Sequence, residues 1–213
     1  MGPNSEASGY VWENAGLNAS HAYLLPGLKN ILEGLEIPQE KRRLFDLGCG
    51  NGSVANELVR LGWEVAGVDP SEQGIAHANT HFPHITLRVG SAYDDLVAQY
   101  GTFPVVVSLE VVEHLYAPRR YAKTLYSLLD PGGVAIVSTP YHGYLKNLAL
   151  AVTGRMDAHF TALWDHGHIK FWSIKTLRAL LEEVGFRDIR FHRVGRIPPL
   201  AKSMIAVACK SPS

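Results

Sequence analysis

Four places in the chain put chemically capable side chains where an apolar run gives way to a turn. The first is Asp46-Leu47-Gly48-Cys49-Gly50-Asn51-Gly52. Glycines allow a tight turn and let a ligand lie against backbone, and the N–H groups that open the following helix favour polar or anionic groups. The dinucleotide fingerprint G-x-G-x-x-G/A is not met: Ser53 holds its last position and Gly52 comes one residue early. That disfavours a nicotinamide-dependent oxidoreductase. The second place is Asp69, 19 residues past Gly50. An acid there can accept hydrogen bonds from both hydroxyls of a ribose; its alternative role is to cap the next helix. The third is Gly90-Ser91-Ala92-Tyr93-Asp94-Asp95, where Ser91 and Asp94 suit either an adenine edge or an ordinary helix cap. The fourth is Ser108-Leu109-Glu110-Val111-Val112-Glu113-His114-Leu115. Glu113 and His114 there can orient a substrate, shuttle a proton or bind a metal, against the plainer reading of a solvated turn.

These places must be positioned by the elements between them. Helical spacing is expected over residues 23–35, closed by Gly34 and Pro38. From Arg43 the chain alternates: strands at 44–47, 64–68, 85–89, 103–109 and 134–139, with helices over 51–61, 71–81, 93–100 and 121–129 between them. Ser71 is a good N-cap for its helix and Pro131-Gly132-Gly133 is a turn. A helix over 174–184 stops at Gly185, and two late strands are expected near 187–194 and 204–209. Strand–helix alternation with nearly continuous apolar strands predicts a doubly wound, mostly parallel sheet covered on both faces. The connection from 195 to 202 is too short for a crossover, so the last two strands should be an antiparallel pair at one edge.

Length and charge agree with one domain. The chain has 213 residues, 46% of them hydrophobic and 19% charged, with Lys plus Arg and Asp plus Glu at 20 each. Zero net charge argues against nucleic acid as a partner. Two cysteines make no disulfide framework, no apolar run spans a bilayer, and the N-terminus carries no secretory pattern. The expectation is a single domain over 1–213 in the cytoplasm, with a cap segment at 1–42 and an insertion at 141–170.

Taken together in order and spacing over residues 43–139, the motifs resemble those of class I S-adenosylmethionine (SAM)-dependent methyltransferases: DLGCGNG, GVDPS, SLEVVEHL and LLDPGGVAIVST. The resemblance implies a seven-stranded Rossmann-like sheet whose last strand inserts antiparallel between the fifth and sixth. It implies SAM as methyl donor, with Asp46, Gly48, Gly50, Asp69, Ser71, Ser91, Ala92 and Glu110 around it. Cys49 reads as a packing residue, since this chemistry needs no thiol nucleophile. A narrower resemblance is to the O-methyltransferases of ubiquinone biosynthesis, carried by the E-x-x-E-H run, Ser138-Thr139, the apolar stretch 148–152, His166 and Lys170-Phe171. The insertion YHGYLKNLALAVTG and His168 depart from that pattern.

The expected reaction is methyl transfer to a small-molecule acceptor, most simply at a hydroxyl, with a quinone-like or apolar acceptor suggested. Methylation of tRNA or another macromolecule, and a non-catalytic SAM-binding module, are the alternatives. The insertion, with His142, His159, His166 and His168 and the aromatics Tyr141, Tyr144, Phe160 and Trp164, reads as a lid over the methyl group. Tyr10 and Trp12 would close the opposite side, or pack as core. A hydroxyl must lose a proton near neutral pH, so His114, with His166 as partner and His142, His168 and Glu113 as further candidates, is the expected catalytic set. A divalent metal on the same histidines with Glu110 and Glu113 is possible chemistry, but no metal site is assigned. The stretch 148–152 could meet a membrane surface; packing onto the domain as a short helix is the favoured alternative.

Overall fold

The computed structural model describes Trp12, residues 14–165 and residues 167–212. The strands are β1 (Arg43–Leu47), β2 (Glu64–Asp69), β3 (Thr86–Val89), β4 (Phe103–Leu109), β5 (Leu129–Pro140), β6 (Arg187–Val194) and β7 (Ser203–Cys209). They form one sheet in the order β3-β2-β1-β4-β5-β7-β6. β1 to β5 run parallel, and β7 lies antiparallel between β5 and β6. The expected sheet, its edge pair and the inserted last strand are all present.

Strand side chains alternate between two buried faces, as a sheet covered on both sides requires. Phe45, Val106, Ala135 and Val137 point to one core with Tyr121 and Leu125 of α5 (Pro118–Ser127) and Leu177 and Leu181 of α8 (Ile174–Glu183). Leu44, Val105, Val107 and Ile136 point to the other, against α1 (His21–Glu33), α2 (Ser53–Arg60) and α3 (Glu72–His81). Ser71 does cap α3, accepting from Gly74 N at 3.0 Å, and Ser173 caps α8 in a reciprocal box with Thr176. The short α4 (Leu96–Tyr100) is capped by Asp95.

Three differences from the sequence reading have local causes. α5 begins at Pro118, a turn earlier than expected, because proline suits the first helical position although Pro-Arg-Arg shows no apolar period. β5 starts at Leu129 rather than Val134. Pairing jumps from Phe103–Leu129 to Val105–Val134, so the Pro-Gly-Gly turn is a bulge within a longer strand, with Gly132 at φ 76°. The insertion at 141–170 contains two helices, α6 (Tyr144–Val152) and α7 (Met156–Phe160).

Candidate functional site

Reversal of strand order between β1 and β4 opens a crevice at the carboxyl ends of the strands, where a ligand is expected in a doubly wound sheet. A cavity of about 890 Å³ lies there. One half is lined by the loops after β1, β2 and β3: Asp46, Gly48, Cys49, Val68, Asp69, Pro70, Gly90, Ser91, Ala92 and Tyr93. The other half is lined from the ends of β4 and β5, the starts of α1 and β7, and the lid.

The first half brings together most of the residues expected around a methyl donor. Gly48 has φ 95°, and a Cβ there would lie 2.3 Å from Val111 Cγ2, so only glycine fits. Asp69 joins two loops: its Oδ2 accepts from Gly50 N at 2.9 Å and its Oδ1 from Ser71 N at 2.8 Å. Each oxygen keeps a second acceptor site, which suits a ligand's paired hydroxyls. Burial raises its pKa, and the two N–H bonds oppose this. Asp46 is 2% exposed and its Oδ2 has no hydrogen-bond partner among the described residues. Burial, with the charge of Asp69 added, raises its pKa to about 7. An orphaned buried oxygen facing a cavity is an anchor for a donor on a bound molecule. Ser91 N donates to Asp94 Oδ2 at 2.7 Å, so Asp94 orders this loop and leaves Ser91 and Ala92 on the wall. Gly50 and Ser71 do not line the cavity; Trp12 covers Gly50, and Ser71 is spent on the α3 cap. Cys49 is 5% exposed, and burial raises its thiol pKa well above the ordinary range, so it stays protonated.

In the second half, Glu110 turns the chain after β4 at φ 55°, a strained conformation for a non-glycine residue. Its Oε1 accepts from Ser138 Oγ at 2.8 Å and its Oε2 from Ser203 Oγ at 3.2 Å. Because Ser203 spends its proton on Glu110, the Tyr23 hydroxyl 3.4 Å away is the donor to Ser203. Burial raises Glu110 to about 7, while the two serine bonds and the charge of Lys146 oppose that rise. Tyr23, Ser203 and Lys202 line the cavity and were not singled out in the sequence.

His114 and His168 also line the cavity, their rings 4.9 Å apart and edge to face, with Trp164 beside both. Burial, then the charges of His114 and His159, lower His168 to about 4, so its ring is neutral at pH 7. Glu113 lies behind them, 1% exposed; its Oε2 accepts from Thr139 Oγ1 at 3.0 Å and its Oε1 is 4.0 Å from His168 Nε2. Burial, then Glu110, raise its pKa well above the carboxylate range. One ligand atom each from Glu113, His114 and His168 falls within 4.8 Å of the others, a set of one oxygen and two nitrogens that fits a divalent cation. His142 is apart from this cluster: it is 8% exposed, stacked on Phe160 and edge-on to Phe171 beneath the lid, and burial lowers it to about 4. His159 lies beside it at 5.4 Å. His166 and Tyr10 lie outside the described residues.

A family described as a methyltransferase domain matches residues 20–190. The ubiquinone biosynthesis O-methyltransferase of Caulobacter sp. (strain K31) is 39% identical over 152 residues, 68% of this chain and 59% of that protein. That of Ruegeria pomeroyi is 33% identical over 163 residues, 73% of this chain and 64% of that protein. The chain thus spans about three fifths of the length of these relatives. Among solved structures, magnesium protoporphyrin IX methyltransferase from Synechocystis PCC 6803 with bound SAH superposes with a TM-score of 0.65 at 21% identity, covering 88% of this chain and 82% of that one. A SAM-dependent methyltransferase from Archaeoglobus fulgidus gives a TM-score of 0.65 at 17% identity, covering 88% and 93%. With its glycine turn, the acid at the end of β2 and its sheet order, the chain belongs to the methyltransferase-domain family whose model it matches.

Proposed function

We propose that the protein methylates a hydroxyl oxygen of a small-molecule acceptor. The observation that carries this reading is the continuity of the cavity: the donor half opens directly onto His114, His168 and Glu110. The names of the most similar relatives support oxygen as the methylated atom. Leu115, Tyr116, Pro140, Trp164 and Ile169 on the wall support an aromatic or apolar acceptor, of which a quinone-like molecule is one kind.

SAM, when bound, supplies a methyl group on a sulfonium leaving group. The chain's own residues do the rest. Asp69 holds paired hydroxyls, Asp46 anchors a donor group, and Ser91 and Ala92 flank the flat end of the molecule. His114 takes the acceptor's proton, and His168, neutral and edge-on to it, fixes the plane of its ring. Walls from α1, β7 and the lid exclude water and align the acceptor.

A second reading of the same cluster rests on the mutual 4.8 Å spacing of Glu113, His114 and His168. A divalent ion held by them would acidify the acceptor hydroxyl in place of a histidine base. The experiment for the reaction is incubation with methyl-labelled SAM and a metabolite extract, followed by mass identification of the product. A labelled O-methyl product of low mass supports the proposal. Label found only in RNA or protein, or SAM left intact, overturns it.

A further inference from the structure

The lid brings together three polar atoms that neither the donor nor the acceptor reading uses. His142 Nδ1, Asn147 Oδ1 and His159 Nε2 are buried and have no hydrogen-bond partner among the described residues. Three elements carry them. His142 follows β5 and is fixed through its backbone N–H, which donates to Trp172 O at 3.0 Å. Asn147 lies in α6 and His159 in α7. His142 is 8% exposed, stacked on Phe160 and edge-on to Phe171, so its neighbours on those sides are apolar. Its ring centroid is 5.4 Å from that of His159, with the planes at 56°. A buried polar atom without a partner costs free energy, and three in one place point to a group that serves them all.

We propose that His142, His159 and Asn147 bind a transition-metal dication of the zinc type, which ties α6 and α7 to the end of β5. Two imidazoles on one tetrahedral ion, with metal–nitrogen distances of about 2.0–2.1 Å, have ring centroids roughly 5 Å apart. The spacing of His142 and His159 is close to that. Two imidazole nitrogens and an amide oxygen suit zinc, nickel or copper; magnesium and calcium take oxygen sets. A water completes four ligands. Burial, then the charge of Lys146, lower the pKa of both rings, so at pH 7 their lone pairs carry no proton that a metal must displace. Lys146 and Arg196 also repel a cation here. For Lys146 that repulsion is blunted: its Nζ donates to Tyr141 O and Lys202 O, and the Glu110 charge acts on it in the opposite sense. The site shares no ligand with the set of Glu113, His114 and His168. Its role is structural: α7 has no fully buried side chain, and an ion held by three elements contributes its binding free energy to their docking.

The test uses the full chain, stripped of metal with a chelator, and zinc alone, so it needs neither SAM nor an acceptor. His114→Ala/His168→Ala removes the other set of ligands. Calorimetry should show that this variant still binds a single zinc ion, and its melting temperature should rise when zinc is added. Adding His159→Ala should weaken zinc binding about tenfold or more and abolish the rise, and adding Asn147→Ala should weaken it less. No zinc bound by the His114→Ala/His168→Ala chain overturns the proposal, as does affinity within a factor of about two after His159→Ala. A second measurement holds even if the combined variants do not fold. In the wild type, the imidazole nitrogen resonances of both His142 and His159 should shift on adding zinc. If they stay in place while those of His114 and His168 move, the orphaned atoms of the lid serve water and the proposal falls.

Discussion

Asp69 ties two loops together while facing the cavity. It bonds Gly50 N and Ser71 N, so removing it loosens two loops, and it also faces the cavity with acceptor sites to spare. Asp69→Ala should weaken SAM binding by a factor of ten or more, since a hydrogen bond to a charged group contributes about 1.5–3 kcal/mol. Calorimetry that finds affinity within about twofold of the wild type contradicts this. The histidines separate by place. His114→Ala and His168→Ala should bind SAM normally and lose most turnover on the true acceptor, while His142→Ala, beneath the lid, should lose less. Chelation decides between the two uses of the cluster: activity that vanishes with a chelator and returns with an added divalent ion puts a metal in place of the histidine base. The donor half was legible because its residues sit in short contiguous motifs whose spacing has a mechanism. Tyr23 and Ser203 were not, because they are 180 positions apart and meet only when β7 inserts beside β5. Their hydroxyls carry no local pattern, although Glu110, which accepts from Ser203, was among the residues the motifs placed at the site.

At the scale of elements, most of the sheet could be read from alternation and turn residues, because β1, β4 and β5 are nearly continuous buried runs and β1, β2 and β3 stop at Gly48, Asp69 and Gly90. The edge pair followed from the short 195–202 connection, but chain length alone could not say that β7 would lie inside β6. The lid resisted for a different reason. Its apolar run invites an amphipathic reading in which leucines face the core, yet α6 is turned the other way. Lys146 is 8% exposed and its Nζ donates to Tyr141 O at 2.8 Å and Lys202 O at 3.3 Å, whereas Leu145 is 57% and Val152 79% exposed. Tertiary hydrogen bonding at the ends of β5 and β7 overrides the hydrophobic period. Leu145→Asp/Leu148→Asp should accordingly shift the melting temperature by no more than about 4 °C, since exposed substitutions stay within about 0.5 kcal/mol each. A fall of ten degrees would mean that these side chains are packed. The same pair tests membrane contact. Flotation of the wild type with lipid vesicles, lost in the variant, supports contact of this face with a lipid surface, and a wild type that stays at the bottom of the gradient ends that idea.

The whole molecule has zero formal charge, yet its buried titratable groups give stability a pH dependence with two opposing slopes. His21, His142 and His168 are held near 4 by burial, against an ordinary value of 6.5. The unfolded chain therefore binds their protons first, so their contribution is complete above about pH 6.5 and is lost as pH falls toward 4. Asp46 and Glu110 act in the opposite sense. Burial raises both to about 7, so the folded state holds their protons longer, and stability falls as pH rises from about 4 to 7. Thermal melting across a range of pH reads these slopes. Asp46→Asn isolates one of them. The amide costs the same at every pH, whereas the carboxylate's cost grows from near zero below pH 4 to a plateau above pH 7. That plateau is at most about 4 kcal/mol for a shift from 3.8 to about 7. Without SAM, the variant should therefore gain in melting temperature relative to the wild type as pH rises, with a larger difference at pH 8 than at pH 5. SAM at saturating concentration should shrink the pH 8 difference, because a bound donor group would partner the orphaned Oδ2 in the wild type and favour its charged form. A difference between variant and wild type that is the same at pH 5 and pH 8 would show that Asp46 is ionised throughout, with a partner in the ligand-free fold.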